Sequence, residues 1–223
     1  MAARKLYGAV ESRATMRALA SLLEHEVEFE FVPLDLSTGE HKKEPFLTLS
    51  VRNLANIFLH KSIDFNVLIH SCVDEVEVNH EMLSHIYVNP KTNQIYMAPK
   101  MQGIVSTWID VEDHHFDPPA LKLISELVYK PKNGLPPDEM TVASEEAKLA
   151  GVLDVYEEKL TNSEFMGGDK FTSADLTHLP SLHYLMRTPV KRLFQERPKV
   201  STWCAAITSR PAWAKVVEMV VEK

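Results

Sequence analysis

The chain has 223 residues, of which 45% are hydrophobic and 25% are charged, as in an ordinary soluble globular protein. Its formal net charge of −7, without a basic stripe, argues against nucleic acid as the main partner. The sequence has no secretory signal and no apolar run approaching about 18 residues, so we expect no membrane attachment and a cytoplasmic location. Cys72 and Cys204 lie far apart, which favours reduced thiols over a disulfide.

Residues 5–36 predict a strand, a helix and a second strand. Leu6 and Tyr7 form a short apolar strand, a turn is expected at Gly8, and apolar residues recur at helical spacing after Ser12. Residues 27–31 then alternate between apolar and acidic side chains, which is typical of a half-buried strand. Strand, helix and strand in this order predict parallel pairing with a right-handed crossover.

The C-terminal half predicts helices throughout. Apolar residues from Ile104 to Val111 predict a helix that runs to a break at Asp117-Pro118-Pro119, and a second helix is expected from Leu121. A further helix carries an apolar stripe opposite a charged face. The members of that stripe are Leu149, Val152, Leu153, Tyr156 and Leu160.

A later helix start is marked by Thr172 and Asp175. Their spacing is that of a capping box, with an aspartate in place of the usual glutamate. Phe171 before the cap and Leu176 inside the helix can pack together as a hydrophobic staple. By themselves these features predict only a stable helix end.

Several stretches together resemble one known family. They are residues 5–12 (Lys-Leu-Tyr-Gly-Ala-Val-Glu-Ser), residues 39–47 (Gly-Glu-His-Lys-Lys-Glu-Pro-Phe-Leu) and residues 171–180 (Phe-Thr-Ser-Ala-Asp-Leu-Thr-His-Leu-Pro). They are similar to plant phi-class glutathione transferases, and the resemblance covers residues 1–49 and 99–223. It implies the glutathione transferase fold. That fold has an α/β thioredoxin-like N-terminal domain, here residues 1–90 with an altered second half, followed by an all-α C-terminal domain at residues 99–223.

Residues 50–98 depart from this family. The family has a proline-centred turn, N-P-F-G-Q-V-P, that leads into two antiparallel strands, and then a helix start, E-S-R-A. This chain has neither motif, and its segment opens with Val51 and Arg52, whose codons can resemble a splice donor. Two interpretations remain open: a retained intron or mis-joined gene model, and a genuinely diverged exon.

Ser12 is the candidate catalytic residue. A hydroxyl at a helix N-terminus can donate to a thiolate, while the free amides and the positive end of the helix dipole favour its negative charge. Taken alone, the residue is more often only an N-cap. The resemblance implies that Ser12 activates the sulfur of glutathione.

His41 and Lys42 are the candidate residues for binding glutathione. The resemblance implies that the matching pair holds the glycine carboxylate, and two donors suit a carboxylate. A solvated charged turn is the alternative, because Glu40 and Lys43 adjoin. The missing N-P-F-G-Q-V-P and E-S-R-A motifs remove other charge-assisted hydrogen bonds of about 1.5–3 kcal/mol each. A deficit of about 4 kcal/mol corresponds to a thousandfold loss of affinity.

The acceptor pocket is expected between the domains. By position, its wall candidates are Val10 and Glu11 after the first strand and His115 and Phe116 on the facing helix, with ordinary interdomain packing as the equal alternative. A carboxylate at Glu11 would disfavour anionic substrates.

A metal site is not expected. His80 and His85 form H-E-x-x-x-H, which is one residue too long for the zinc helix motif, so the two side chains would not share a helix face.

The sequence therefore predicts a glutathione transferase that conjugates the thiolate of glutathione to small hydrophobic electrophiles, with a possible peroxidase side activity. Glutathione would be the co-substrate, a homodimer is expected, and detoxification and stress response are the implied roles. We expect activity to be impaired by residues 50–98. The alternatives are a non-catalytic small-molecule carrier of the same fold and the product of a retained intron.

Overall fold

The computed structural model of the chain describes residues 5–35, 38–39, 67–68 and 96–221. The chain divides into two compact units, one of residues 1–89 with 215–223 and one of residues 90–214. Within the described residues, no helix combines the length and the apolar character needed to span a membrane.

The first unit contains a sheet of strand order β2-β1-β3, formed by β1 (Lys5–Gly8), β2 (Glu30–Pro33) and β3 (Val67–Leu68). β1 pairs in parallel with β2, which confirms the β-α-β order predicted from the sequence. β3 also runs parallel to β1.

Helix α1 (Arg13–Glu24) connects β1 to β2, and its apolar residues Met16, Leu19 and Leu22 are buried. The predicted helical periodicity is therefore confirmed. Burial alternates along residues 27–31 as expected, but ladder pairing begins only at Glu30.

The turn expected at Gly8 lies further along, at residues 10–11. Gly8 is the last residue of β1, and the N–H of Ser12 closes the turn by donating to the carbonyl of Ala9 at 2.9 Å. A glycine is needed at position 8 for another reason. A Cβ there would lie 2.5 Å from Oγ1 of Thr15, so α1 could not approach the end of β1 as closely.

The C-terminus of α1 ends in a Schellman motif. The N–H of Glu26 donates to the carbonyl of Leu23 at 3.2 Å, and the N–H of Val27 donates to that of Leu22 at 3.0 Å. Glu26 has φ +54°, a left-handed conformation that glycine adopts with less strain than any residue bearing a Cβ.

Replacing Glu26 with glycine should therefore raise the free energy of unfolding by about 0.5–1 kcal/mol. Urea unfolding followed by tryptophan fluorescence measures the change. Glu26→Ala is the matched control, because it removes the carboxylate but keeps a Cβ in the left-handed position. Equal stabilisation by alanine and glycine would assign the effect to the charge instead.

The second unit is helical and begins with one continuous helical path through residues 99–132. It comprises α2 (Pro99–Val111), a π-helical turn (Glu112–Phe116), α3 (Asp117–Ile124), a second π-helical turn (Ser125–Tyr129) and α4 (Lys130–Lys132).

The break predicted at Asp117-Pro118-Pro119 is wrong. The N–H of Asp117 reaches back five residues to the carbonyl of Glu112, and the two prolines then occupy the first turn of α3. Proline is tolerated there because a helix's first amides need no intrahelical acceptor.

The remaining helices are α5 (Glu139–Thr161), α6 (Ser173–Leu176), α7 (Leu179–Leu185), α8 (Lys191–Gln195), α9 (Pro198–Thr208) and α10 (Pro211–Val221). The predicted stripe on α5 is largely confirmed, because all its members except the half-buried Val152 are buried. Tyr156 from this stripe is wholly buried among Phe116, His178 and Trp203, and its hydroxyl is 2.9 Å from Nε2 of His178.

The capping box at Thr172 and Asp175 is confirmed. Oδ2 of Asp175 accepts the N–H of Thr172 at 2.9 Å and the Thr172 hydroxyl at 3.3 Å. Oδ1 accepts the N–H of Met166 and the indole N–H of Trp203, each at 2.9 Å. The wholly buried carboxylate therefore joins the preceding loop, the start of α6 and the middle of α9.

Two buried groups of this unit have pKa values that are shifted in opposite directions. Burial raises the pKa of Asp175 to about 6, against the lowering effect of its four hydrogen bonds, so the carboxylate is ionised at pH 7. Burial, together with the smaller effect of the nearby Arg187, lowers the pKa of His183 to about 4. The pH-dependent part of the Asp175 contribution, which comes from its raised pKa, is present below the ordinary pKa of 3.8 and is lost as the pH rises through 6, whereas the four hydrogen bonds to the carboxylate remain at pH 7. The His183 contribution is present above 6.5 and is lost as the pH falls towards 4.

In the parent, the pH-dependent contributions of Asp175 and His183 to the free energy of unfolding change in opposite directions and partly cancel. Asp175→Asn removes the first, so the pH dependence that comes from His183 should become visible. At pH 7 the variant should be less stable by about 1–3 kcal/mol, because an amide cannot accept all four donors. Between pH 6.5 and 4 its free energy of unfolding should fall more steeply than that of the parent. Urea unfolding at several pH values measures both effects. Adding His183→Gln should flatten the profile again, and parallel pH profiles for the parent and Asp175→Asn would contradict the assignment.

Candidate functional site

Ser12 occupies the N-cap position of α1, with φ −74° and ψ 130°. Its carbonyl accepts the N–H of Met16 at 2.9 Å, which starts the helical hydrogen bonding. Its side chain is partly exposed and makes no capping hydrogen bond. A serine that served only as an N-cap would accept an amide of the first turn. The hydroxyl is instead available to a ligand at the helix end.

The helix end beside Ser12 favours a negative charge. The first amides of a helix have no intrahelical acceptor, and they form the positive end of its dipole. The first turn of α1 contains no acidic residue that would neutralise that end. A thiolate placed against the Ser12 hydroxyl would therefore be stabilised relative to its thiol.

The four predicted pocket residues lie in different surroundings. Val10 is buried and Glu11 is exposed, both in the turn that precedes Ser12. His115 is exposed on the first π-helical turn of the helical unit.

Phe116 does not line an open pocket, contrary to the expectation. Its side chain is 0% exposed, stacks on Tyr156 with 5.9 Å between ring centroids and meets the ring of His178 edge-on at 4.7 Å. Neighbouring residues of a helix point in different directions, so His115 can face solvent while Phe116 belongs to the core.

The predicted glutathione-binding residues His41 and Lys42 lie outside the described residues, as does most of the segment 50–98. The histidines of the rejected zinc motif, His80 and His85, also lie outside them. Among the residues that the structure does describe, no group of three or more His, Cys, Asp or Glu side chains is arranged to hold a metal ion. The described part of the candidate site is therefore the N-terminus of α1.

Sequence reasoning missed Thr15. Its side chain is wholly buried over Gly8 at the end of β1, one turn inside the helix that carries Ser12. A glycine at a strand end, followed seven residues later by a small β-branched residue in the next helix, was the available signal.

Two family models match the chain, one for each half. The glutathione S-transferase N-terminal domain matches residues 2–56, and the glutathione S-transferase C-terminal domain matches residues 116–211. Residues 57–115, which include most of the divergent segment, lie between the two matches.

Curated relatives and solved structures agree with these matches. The chain is 43% identical to a glutathione S-transferase of Hyoscyamus muticus over 96% of its own length and 97% of the relative. It is 42% identical to glutathione S-transferase F6 of Arabidopsis thaliana over 97% of its own length and 100% of the relative. The crystal structure of glutathione transferase F2 from Populus trichocarpa superposes with a TM-score of 0.83 at 32% identity, covering 98% of this chain and 99% of that chain. The chain belongs to the glutathione S-transferase family, and its resemblance to the plant phi class is confirmed.

Proposed function

We propose that this protein conjugates the thiolate of glutathione to small electrophiles, with Ser12 as the group that activates the sulfur. The observation that carries the proposal is the Ser12 hydroxyl, which stands at the N-terminus of α1 without a capping bond. Membership of the glutathione S-transferase family supports glutathione as the co-substrate.

The Ser12 hydroxyl would donate a hydrogen bond to the glutathione sulfur. Each unit by which the pKa of the thiol is lowered represents about 1.36 kcal/mol of preference for the thiolate. The thiol proton passes to solvent, and the sulfur lone pair forms a carbon–sulfur bond to the electrophile. The displaced electron pair leaves with a leaving group or moves onto the acceptor. A thiolate generated in this way would also reduce a hydroperoxide: attack on the outer oxygen breaks the O–O bond and gives an alcohol and the sulfenic acid of glutathione, which a second glutathione converts to glutathione disulfide and water.

The other predicted residues complete this proposal. His41 and Lys42 would hold the glycine carboxylate of glutathione through charge-assisted hydrogen bonds. Glu11 is exposed in the turn before Ser12, and its carboxylate would select against anionic electrophiles. We place the protein in the cytoplasm as a homodimer, in keeping with its family.

One sequence feature favours a second candidate function. Residues 50–98 lack the N-P-F-G-Q-V-P and E-S-R-A motifs, which the family uses to bind the cysteine and γ-glutamyl parts of glutathione. Without them the protein would be a weak enzyme or a non-catalytic carrier of small apolar molecules. Retention on immobilised glutathione favours the transferase, and passage through the column favours the carrier.

Substitution of Ser12 by alanine tests the catalytic role. Because the hydroxyl makes no capping bond, Ser12→Ala should lower kcat for conjugation at least tenfold and leave the free energy of unfolding within about 0.5 kcal/mol of the parent. Ser12→Gly, which also lacks a hydroxyl but suits an N-cap, should behave in the same way. Steady-state kinetics from pH 6 to 8 and urea unfolding provide the measurements.

The opposite pattern would remove Ser12 from the mechanism. A serine that serves only as an N-cap would lose about 1 kcal/mol of stability on substitution by alanine, with kcat unchanged.

Replacing residues 51–98 with a phi-type segment that contains both missing motifs tests the second candidate. The graft should raise the affinity for glutathione at least a hundredfold, or about 3 kcal/mol, because it restores the missing backbone pairing and carboxylate site. Isothermal titration of parent and graft with glutathione gives the comparison, and a graft with its two motifs scrambled is the control. Equal affinity of parent and graft would mean that residues 51–98 supply substitute ligands, and the carrier interpretation would then be wrong.

A further inference from the structure

We propose that Thr15 is a positioning residue for Ser12, and that it acts through the shape of its contact with Gly8 rather than through its hydroxyl. The inference rests on the proposed role of Ser12 and adds a second residue to that site.

The side chain of Thr15 occupies the space that a Cβ on Gly8 would need. A Cβ built on Gly8 would lie 2.5 Å from Oγ1, 2.8 Å from Cγ2 and 3.2 Å from Cβ of Thr15, so the threonine side chain covers the Gly8 Cα. A threonine on a helix is short and stiff at χ1, so it cannot swing aside as a long side chain would. The contact therefore fixes the distance between the end of β1 and the first turn of α1.

Ser12 lies inside the loop that this contact closes. Gly8 is held by the sheet, because its carbonyl accepts the N–H of Leu34 at 3.0 Å, and Thr15 is held by α1. Between them, the N–H of Ser12 donates to the carbonyl of Ala9 at 2.9 Å. A shift of α1 along or away from β1 must move Ser12, since the loop of residues 8–15 has both ends in contact.

The hydroxyl of Thr15 contributes nothing visible to this arrangement. The residue is 0% exposed, and its Oγ1 makes no hydrogen bond to any described residue. A buried hydroxyl without a partner destabilises a fold, whereas a methyl group in its place does not. Valine has the same shape as threonine and should therefore do the same positioning with greater stability.

The first measurement uses the conjugation reaction. Thr15→Ala should lower kcat about tenfold or more and leave KM for glutathione within about twofold, because misplacement of a reacting group acts on the chemical step. Thr15→Val should raise Tm and keep the kcat of the parent. Leu22→Ala, at the other end of α1, is the control for instability, and it should lower Tm without changing kcat.

The second measurement needs no conjugation activity. Ser12→Cys places a thiol at position 12, and its pKa follows from the pH dependence of its alkylation by iodoacetamide, with the modified peptide quantified by mass spectrometry. Quantifying the peptide that contains position 12 separates its alkylation from that of Cys72, and burial raises the pKa of the Cys204 thiol, which makes that thiol unreactive. In this background Thr15→Ala should slow alkylation at pH 7 about threefold or more and move the profile to higher pH, whereas Thr15→Val should leave both unchanged.

The outcomes separate the two proposals. The shape-based role of Thr15 would be overturned if the Ser12→Cys variant had the same alkylation profile alone, with Thr15→Ala and with Thr15→Val. It would also be overturned if Thr15→Val and Thr15→Ala lowered kcat equally. A parent without Ser12-dependent conjugation, combined with the expected alkylation pattern, would overturn the proposed function and leave the positioning role standing.

Discussion

The buried carboxylate of Asp175 is the interaction on which the helical unit depends. Removing a charge from water is strongly unfavourable unless donors replace the lost hydration. Four donors converge on this group, two of them backbone amides that would otherwise be buried without acceptors. They come from the loop before α6, from its cap residue and from the indole of Trp203 in α9. The loop, α6 and α9 are therefore held together by one side chain, which explains why a helix of only four residues is stable here.

The same unit uses a second carboxylate to cap a neighbouring helix. The cap residue of α9, Arg197, makes no side-chain capping bond of its own. Glu157 of α5 instead accepts the N–H groups of Lys199 and Val200 at 3.1 and 2.9 Å. Both devices place negative charge where helix amides lack acceptors, the preference that makes a helix start a site for anions. In the helical unit, the preference of helix starts for negative charge is satisfied by carboxylates of the chain itself, and these carboxylates connect one element to the next.

The N-terminus of α1 differs from the start of α6 in two respects. Its cap residue, Ser12, leaves its hydroxyl uncommitted, and its first turn holds no acidic residue, whereas Thr172 and Asp175 form a capping box at the start of α6. The helix end therefore retains its attraction for a negative charge. The thiolate of glutathione has the required charge and a sulfur able to accept the hydroxyl. Under the proposed function, this N-cap position would serve a bound ligand, because the hydroxyl of Ser12 makes no capping bond within the chain.

Patterns along the chain determined the local structure of this protein. The order of β1, α1 and β2, the apolar stripe on α5, the capping box at Thr172 and the location of Ser12 at a helix start all follow from interactions between residues at most four apart, and these were predicted correctly. The similarity of residues 5–12 and 171–180 to one family was likewise a local signal. Most of the glutathione-binding site proposed from sequence lies outside the described residues, so His41 and Lys42 stay predictions.

Only the tertiary structure shows which side chains of these local elements contact residues that are distant in the sequence. Trp203 donates to a carboxylate 28 residues earlier, and Phe116 packs in the core although its neighbour His115 is exposed. The helix continues past Pro118 because a π-helical turn shifts the hydrogen bonding just before it. The Asp-Pro-Pro sequence by itself does not predict that shift. Gly8 is needed because Thr15 packs on it and not because a turn falls there. For Trp203, Phe116 and Gly8 the deciding quantity is the distance between two elements, and that distance exists only once both are packed.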